Sequence, residues 1–454
     1  MGDITPTPPA PSGETASGVR LLLRALRYRN YRLFFFGQGI SVIGTWMQIT
    51  AMSWLVYRLT HSAFMLGAVG FVGQVPVSLL TPFAGVLADR WERRRMLLVT
   101  QSLAALQALV LGALVLTGTV AVWHIVALAL FAGIVGAFDM PIRQSFVVDM
   151  VEDRADLGNA IALNSSLFNG ARLIGPTVAG VLIAAAGEGP CFLINALSFV
   201  AVLIALVMMR LAPRAAEAPR PPVLRGLREG FAYAFGFPAI RSLLLFQAAI
   251  NLLVMPYTVL MPVFAKDVLG GGAHTFGFLV SASGVGSVSG ALYLASRRSV
   301  RGLARRIALF TVLVGLMLLA FSQSHWLALS LGILPFLGFG MMVQMAACNT
   351  ILQTIVDDDK RGRVMSLYVL SFGGVSPFGA LLAGSTANAA GAPATVLMAG
   401  VCCLAAAALF TLQLPAFRQS VRPVYARLGI IPDPSEPISS DAEFSASPEE
   451  EPPS

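Results

Sequence analysis

The stretch Gly85-Val86-Leu87-Ala88-Asp89-Arg90-Trp91-Glu92-Arg93-Arg94-Arg95 lies between two long apolar segments, one over residues 62–88 and one that begins at Met96. It predicts that one hydrophobic helix ends at Asp89 and that the next begins just after Arg95. The connection is too short to form a domain, and it carries four arginines. Short arginine-rich loops between apolar segments are typical of membrane proteins.

The composition also indicates a bilayer protein. Of the 454 residues, 56% are hydrophobic and 12% are charged, whereas a soluble domain carries about 25% charged residues. The net charge of +8 does not indicate a nucleic-acid partner, because the basic residues stand at the ends of apolar segments. The sequence has no phosphate-binding Gly-x-x-x-x-Gly-Lys loop, no metal-ligand spacing and no catalytic constellation. We therefore expect no cofactor, no metal and no enzymatic activity.

The apolar segments predict an all-α membrane protein with twelve transmembrane helices, since about 20 residues span the hydrocarbon core. With twelve spans, all but three of the 31 basic residues lie on the side that holds both termini, and this side is then cytoplasmic. The three exceptions are Arg58, Arg172 and Lys266.

Polar stretches divide the chain into five parts. Residues 1–19 and 418–454 are rich in Pro and Ser and are predicted to be disordered cytoplasmic ends. Residues 20–209 and 241–417 are predicted to form two six-helix bundles, joined by the cytoplasmic linker 210–240.

An internal repeat supports this division. A shift of 205 positions brings the fourth apolar segment onto the tenth, so that Gly133 meets Gly338 and Asp139 meets Gln344. Such a duplication predicts two bundles related by a pseudo-two-fold axis.

The opening stretch resembles the loop between the second and third helices of major facilitator superfamily transporters. The resemblance departs at Glu92, where the superfamily usually has glycine. It implies a latch on the cytoplasmic side, in which Asp89 faces a helix N-terminus and the arginines pair with nearby acids. The residues that carry the match are Gly85, Leu87, Asp89, Arg90, Arg93 and Arg94.

Other phrases, at residues 46–57, 139–144, 159–174 and 260–264, resemble the bacterial branch that includes the enterobactin exporter and related siderophore and drug effluxers. The resemblance implies a monomer that exports a small organic molecule across the inner membrane by alternating access, driven by inward proton flow. Its other partners would be membrane lipids. A partial match to the fifth-helix motif of antiporters, around Gly175-Pro176, favours export, although ordinary packing of small residues explains it equally well.

Asp139 is the first candidate for a role in gating. It lies near the cytoplasmic end of the fourth segment, where an unpaired carboxylate is costly. By the resemblance it would pair with an arginine of the opening loop, for which we choose Arg90, and its protonation would open the gate. The alternative is a static acid that reaches interfacial water.

Arg172 is the main candidate for substrate binding. It lies near the middle of the fifth segment, where an arginine is costly and a functional role is the first interpretation. With Asn169 on the same helical face, it is predicted to face a cavity and attract an anionic or acceptor-rich substrate. A structural arginine bonded to neighbouring helices remains the alternative.

Polar residues form faces on three further segments, and such faces point to protein or to a water-filled cavity. In the superfamily that the chain resembles, helices 1, 4, 7 and 10 line the substrate path. Hydrogen bonding between helices without a ligand is the alternative for each residue. The predicted substrate-binding residues are Gln38, Ser41, Thr45 and Gln48 in the first segment, Gln247 and Asn251 in the seventh, and Gln344 in the tenth.

Two other functions stay open from the sequence. One is a lipid-translocating or uptake member of the same superfamily, for which a cavity open sideways to lipid would speak. The other is a non-transporting membrane receptor or scaffold, in which Arg172 and the polar face of the first segment would be paired within a sealed core.

Overall fold

The computed structural model describes residues 23–90, 92–210, 223–297 and 299–430, and the side chains of 82–90, 154, 223–228, 255–256 and 358–359 lie outside that description. Within these ranges twelve helical spans are long and apolar enough to cross a membrane, which confirms the predicted fold class. The first six are α1 (Arg29–Thr60), α2 (Ala63–Arg90), α3 (Arg93–Leu116), α4 (Val122–Met150), α5 (Arg154–Ala186) and α6 (Gly189–Met208).

The second half begins with a short additional helix, and two of its spans contain irregular turns. The helices are α7 (Val223–Gly236), α8 (Pro238–Leu253), α9 (Ala273–Ala295), α10 (Leu303–Ser322), α11 (Leu327–Ile355), α12 (Asp358–Val369), α13 (Ser376–Ala390) and α14 (Ala392–Arg427). The seventh span continues from α8 through 3-10 and π turns as far as Val268, and the eleventh consists of α12, a π turn over Leu370–Gly374 and α13.

Two segment ends differ from the predictions. The stretch predicted to be a linker contains α7. Residues 418–427, predicted to be disordered, continue α14, because Phe417 and Val421 stay buried one helical turn apart against the bundle. Disorder was therefore the wrong prediction for these ten positions. The predicted disordered segments 1–19 and 431–454 lie outside the described residues.

The even number of spans places Leu23 and Ile430, the two ends of the described chain, on the same side of the molecule. We call this side the terminal face and the opposite side the far face. Tight turns at the far face contain glycines in the left-handed region, with Gly118 at φ +71° and Gly391 at φ +88°. Glycine adopts these left-handed conformations without steric cost.

The two bundles meet at two equivalent helix crossings in the far half of the molecule. At one, α2 crosses α13, and a Cβ atom on Gly67 would lie 2.5 Å from the carbonyl oxygen of Ala380. At the other, α5 crosses α9, and a Cβ atom on Gly277 would lie 2.7 Å from the carbonyl oxygen of Pro176. Glycine lets the backbones approach to this distance.

The internal repeat is visible in the packing within each bundle. A Cβ atom on Gly133 of α4 would lie 2.2 Å from the carbonyl oxygen of Gly73, and one on Gly338 of α11 would lie 2.0 Å from that of Ser283. The two glycines stand 205 positions apart and perform the same packing role. This confirms the repeat that the sequence predicted.

Candidate substrate site and gates

Arg172 lines a cleft between the two bundles. It extends from α5 of the first bundle, and Gln247 and Asn251 of α8 and Gln344 of α11 face it from the second. All four were predicted from the sequence as substrate-binding residues. The structure brings them together because α5, α8 and α11 converge at the bundle interface.

Arg172 has donors to spare. Its guanidinium carbon lies 5.7 Å from the ring centroid of Trp46 on α1, a cation–π contact that uses no N–H donor. Among the described residues, no carboxylate lies within the 4 Å of an ion pair, and the guanidinium donates no hydrogen bond. The buried hydroxyl of nearby Tyr257 is instead engaged with Ser283 at 3.0 Å. This geometry does not favour the alternative of a structural arginine bonded to neighbouring helices.

The amides across the cleft form a chain with one unused acceptor. Gln344 donates from Nε2 to Oε1 of Gln247 at 3.2 Å, and to Sγ of Cys348 at 3.4 Å. Asn251 Nδ2 donates to the backbone oxygen of Gln247 at 2.9 Å. The Oε1 atom of Gln344 is buried and accepts no hydrogen bond. A buried acceptor without a partner is costly, so a ligand that donates to it would be stabilised.

The apolar part of the lining was not predicted from the sequence. Met341, Met342 and Met345 of α11 and Phe372 of the π turn complete the cleft with Ser287. The spacing of Met341 and Met345 around Gln344 could have indicated one helical face. Nothing in the sequence indicated Phe372, because the π turn changes the register of its helix. Methionine side chains adapt to ligands of varied shape.

The polar face of α1 is not brought to this cleft. Gln48 donates to Gln107 and accepts from Asn195, both at 2.8 Å. These bonds link α1, α3 and α6, in agreement with the alternative of hydrogen bonding between helices without a ligand.

The remaining predicted residues make local contacts. Thr45 donates to the backbone oxygen of Ser41 at 2.9 Å, and Asn169 to that of Ser165 at 2.9 Å. Gln38 is buried, and its Oε1 accepts no hydrogen bond.

Asp139 lies in a buried polar cluster in the terminal half of the first bundle. Its carboxylate accepts hydrogen bonds from Thr100 at 2.8 Å and Gln101 at 2.7 Å, and it pairs with Arg143, one helical turn away, at 3.1 Å. The side chain of Arg90 lies outside the described residues, so the predicted Asp139–Arg90 pair stays a prediction. The same holds for the contacts of Gly85 and Asp89.

Arg93 and Arg94 tie the start of α3 to neighbouring helices. Arg93 donates to the backbone oxygen of Ser145 at 2.9 Å and to the carboxylate of Asp149 at 3.1 Å, both on α4. Arg94 donates to the backbone oxygens of Leu206 and Val207 at 2.7 and 2.8 Å. These are among the last carbonyl groups of α6, where a cation is favourable.

Where side chains are described, the contacts that join the two bundles lie between the far face and the middle of the molecule. The hydroxyl of Tyr57, at the end of α1, donates to Asp267 of the second bundle. Trp54 stacks on Phe276 with a centroid distance of 6.0 Å. Nearer the middle, Ser78 of α2 donates to the backbone oxygen of Gly373 in the π turn at 2.9 Å. The far side of the cleft is therefore closed.

Comparisons with known proteins agree with this architecture. The family described as transmembrane secretion effector matches residues 22–427. The staphyloferrin A transporter of Staphylococcus aureus is 27% identical over 375 residues, which cover 82% of this chain and 92% of the relative. The multidrug efflux pump Tap of Mycolicibacterium fortuitum is 29% identical over 378 residues, covering 80% and 91%.

A solved structure is similar in fold. A bacterial homologue of the human lysosomal transporter Spinster, crystallised in an inward-facing and unoccupied conformation, aligns with a TM-score of 0.68. The alignment covers 90% of this chain and 99% of that one at 14% sequence identity.

Proposed function

The chain belongs to the transmembrane secretion effector family of major facilitator transporters, and from this premise we propose that it exports a small organic molecule by alternating access. It is a multi-pass membrane transporter of small molecules rather than an enzyme. The substrate that we propose is siderophore-like or drug-like, in line with the relatives named for staphyloferrin A and for multidrug efflux. The membrane is the bacterial inner membrane.

The observation that carries this proposal is the cleft around Arg172. Its guanidinium is without a carboxylate partner among the described residues, and the opposite wall offers the unpaired Oε1 of Gln344. Such a site favours a molecule with an anionic or acceptor-rich group for Arg172 and a nearby donor for Gln344. Met341 and Met345 supply an adaptable apolar surface for the rest of the molecule. Because Arg172 is the charged residue in a lining of amides and apolar side chains, the cleft also permits a range of substrates.

We propose that the terminal face is cytoplasmic, on the basis of the arginines at this face. With the bundles joined in the far half, the closed far side then corresponds to the state that is open to the cytoplasm. In the opposite state the crossings at Gly67 and Gly277 separate, and the latch formed by residues 85–94 closes the cytoplasmic side. One chain is sufficient for this motion, since both walls of the cleft belong to it, and we propose a monomer.

Inward proton flow is the proposed driving force, with Asp139 as the proton-binding group. Its carboxylate is held by Thr100, Gln101 and Arg143. Protonation would remove the attraction to Arg143 and loosen the contact between α3 and α4. In the other state, Asp139 would pair with Arg90, and protonation would break that pair and open the cytoplasmic gate. This sequence of events couples a proton to the latch without any further cofactor.

The roles of the other polar residues differ in the proposal. Gln247 and Asn251 contact the substrate from the second bundle. Gln48 holds the first bundle together, because both ends of its amide are already bonded. Gln38, Ser41, Thr45 and Asn169 are proposed as contacts along the path between the cleft and the cytoplasm.

Inverted membrane vesicles test the proposal. We expect a siderophore or drug to accumulate in vesicles that hold the protein when the lumen is acidic, and to leak out when an ionophore collapses the pH gradient. Arg172→Gln should abolish most of the accumulation of anionic compounds. Accumulation only in right-side-out vesicles would indicate uptake, movement of labelled lipid alone would indicate a lipid translocator, and the absence of any transport would favour a receptor. Each of these results would overturn the proposal.

A further inference from the structure

The short helix α7, between the two bundles in sequence, is docked on the start of α12. Glu229 pairs with Arg363 at 2.7 Å, and Tyr233 donates to Asp357 at 3.1 Å. A Cβ atom on Gly230 would lie 3.1 Å from the Cβ atom of Arg363, and Ala234 is fully buried. One side of α7 is therefore fixed to the second bundle.

The first bundle has an equivalent contact with the charges exchanged. There, Tyr28 donates to Asp156 at 2.8 Å, and Arg24 pairs with the same carboxylate. Tyr28 corresponds to Tyr233, and Arg24 to Glu229, each 205 positions later. Arg24 is the basic partner in its ion pair, whereas Glu229 is the acidic partner in its own. A contact that recurs in both halves of the duplicated chain is part of the fold. The helix α7 thus has a fixed depth.

That depth is the boundary between the hydrocarbon core and water at the terminal face. The partners of α7 lie in the charged stretch 357–363, after which the apolar part of the eleventh span begins at Val364. The helix α8 starts at Pro238, two residues after α7 ends. A helix between these two points lies at the level of the lipid headgroups.

A second side of α7 is apolar and partly exposed. Phe231 and Phe235 are one helical turn apart, 42% and 41% exposed, and their rings stack at a centroid distance of 5.8 Å. Two adjacent exposed aromatic rings on a charged stretch are unusual for a surface that faces only water. Aromatic rings are enriched where a helix meets the membrane interface.

The sequence that leads into α7 fits an anionic surface. Residues 210–228 contain five arginines and a single acid, Glu217. Each basic residue near an anionic bilayer contributes about 1 kcal/mol of attraction, and aromatic insertion plus basic residues is the combination that holds interfacial helices. The apolar and the charged features thus point to the same partner.

We propose that α7 is an interfacial helix that inserts Phe231 and Phe235 into the lipid leaflet at the terminal face, and that the basic sequence before it makes this insertion favour anionic phospholipid. This anchors the second bundle to the leaflet at one edge and makes its stability depend on anionic lipid. The proposal does not depend on the substrate or on the direction of transport.

Site-directed spin labelling in proteoliposomes tests the insertion. A label is attached to Phe231→Cys and, as a matched control, to Gly236→Cys, which lies about 140° around the same helix with open space around it. The unsubstituted protein gives the background from its four native cysteines. We expect the label at 231 to be reached by oxygen more than by a water-soluble nickel complex, and the label at 236 to show the reverse.

Two results would overturn the proposal. Equal access of the nickel complex at both positions would place Phe231 in water. Protection of position 231 from both reagents would show that a protein segment covers it.

Thermal unfolding in detergent gives a second readout. Phosphatidylglycerol should raise the Tm of the wild-type protein more than phosphatidylcholine does, and Phe231→Ser/Phe235→Ser should lose most of that difference. The same rise in Tm for the double variant would argue against the proposal.

Discussion

The substitution Gly277→Ala tests the crossing of α5 and α9 as the contact that keeps the far side closed. The added Cβ atom would lie 2.7 Å from the carbonyl oxygen of Pro176 and 2.8 Å from the Cα atom of Gly180. Carbon atoms in contact normally lie about 3.5–4.0 Å apart. Both neighbours are backbone atoms and cannot rotate away, so the two helices have to separate locally.

The magnitude follows from the cost of overpacking, about 1–3 kcal/mol. Under alternating access this cost falls on the far-closed state alone, because the crossing is separated in the opposite state. A free-energy change of about 1–3 kcal/mol shifts an equilibrium about 5- to 150-fold. We therefore expect the far-open population to rise by that factor.

Distance measurements between spin labels at Ala185→Cys and Ala389→Cys, exposed positions near the far ends of α5 and α13, provide the assay. Gly277→Ala should enlarge a population with a longer distance. The control is Gly158→Ala on α5, the helix that Gly277 of α9 contacts; a Cβ atom at position 158 would meet nothing within 4 Å, and the distances should not change. A folded Gly277→Ala protein with wild-type distances would refute the role of this crossing.

Three further predictions concern single charged groups. Arg172→Lys should raise the KM for an anionic substrate about 10- to 100-fold in vesicle transport, because it loses charge-assisted hydrogen bonds worth about 1.5–3 kcal/mol. Asp139→Asn should make the transport rate independent of pH, because the proposed proton site no longer titrates. Asp156→Asn should lower the free energy of unfolding by about 1–3 kcal/mol, measured as a lower Tm. This is less than the ~3–5 kcal/mol for a broken buried pair, because its partners Arg24 and Arg27 are 40% and 56% exposed.

Control variants accompany each of these three. Arg58→Lys changes an arginine that pairs with Glu188 away from the cleft, and a rise in KM equal to that of Arg172→Lys would count against substrate recognition. Glu152→Gln removes an exposed acid and should retain the pH dependence. Asp153→Asn, at a 57% exposed carboxylate, should lower the Tm less than Asp156→Asn. Equal effects in either of these last comparisons would contradict the assigned roles.

The candidate site was predictable in part. Arg172, Gln247, Asn251 and Gln344 were found from the cost of polar groups in a membrane, and they meet in one cleft. Gln48 satisfied the same rule, yet it bonds to two helices of its own bundle. Periodicity identifies the polar face of a helix, but a face that binds a neighbouring helix has the same pattern as one that lines a cavity.

The gate and the irregular turns show the same limit. The described ion-pair partner of Asp139 is Arg143 on its own helix, which the resemblance to a known loop motif did not indicate. The π turn that carries Phe372 follows no apolar or polar period, because its extra residue shifts the register. The docking of α7 combines residues more than a hundred positions apart, as in the bond between Tyr233 and Asp357.

Twelve membrane-spanning segments and two related halves were predictable from the amino-acid sequence, and the described residues contain both the twelve spans and the repeat. The number of spans depends on the free energy of transfer of each segment from water to lipid, and that free energy is set by the segment's own composition. The folded arrangement was needed to show which polar faces meet, where the bundles touch and which side of the cleft is closed. These features depend on contacts between segments that are distant in sequence. Each segment has several possible partners, and the sequence does not show which pairing has the lowest free energy.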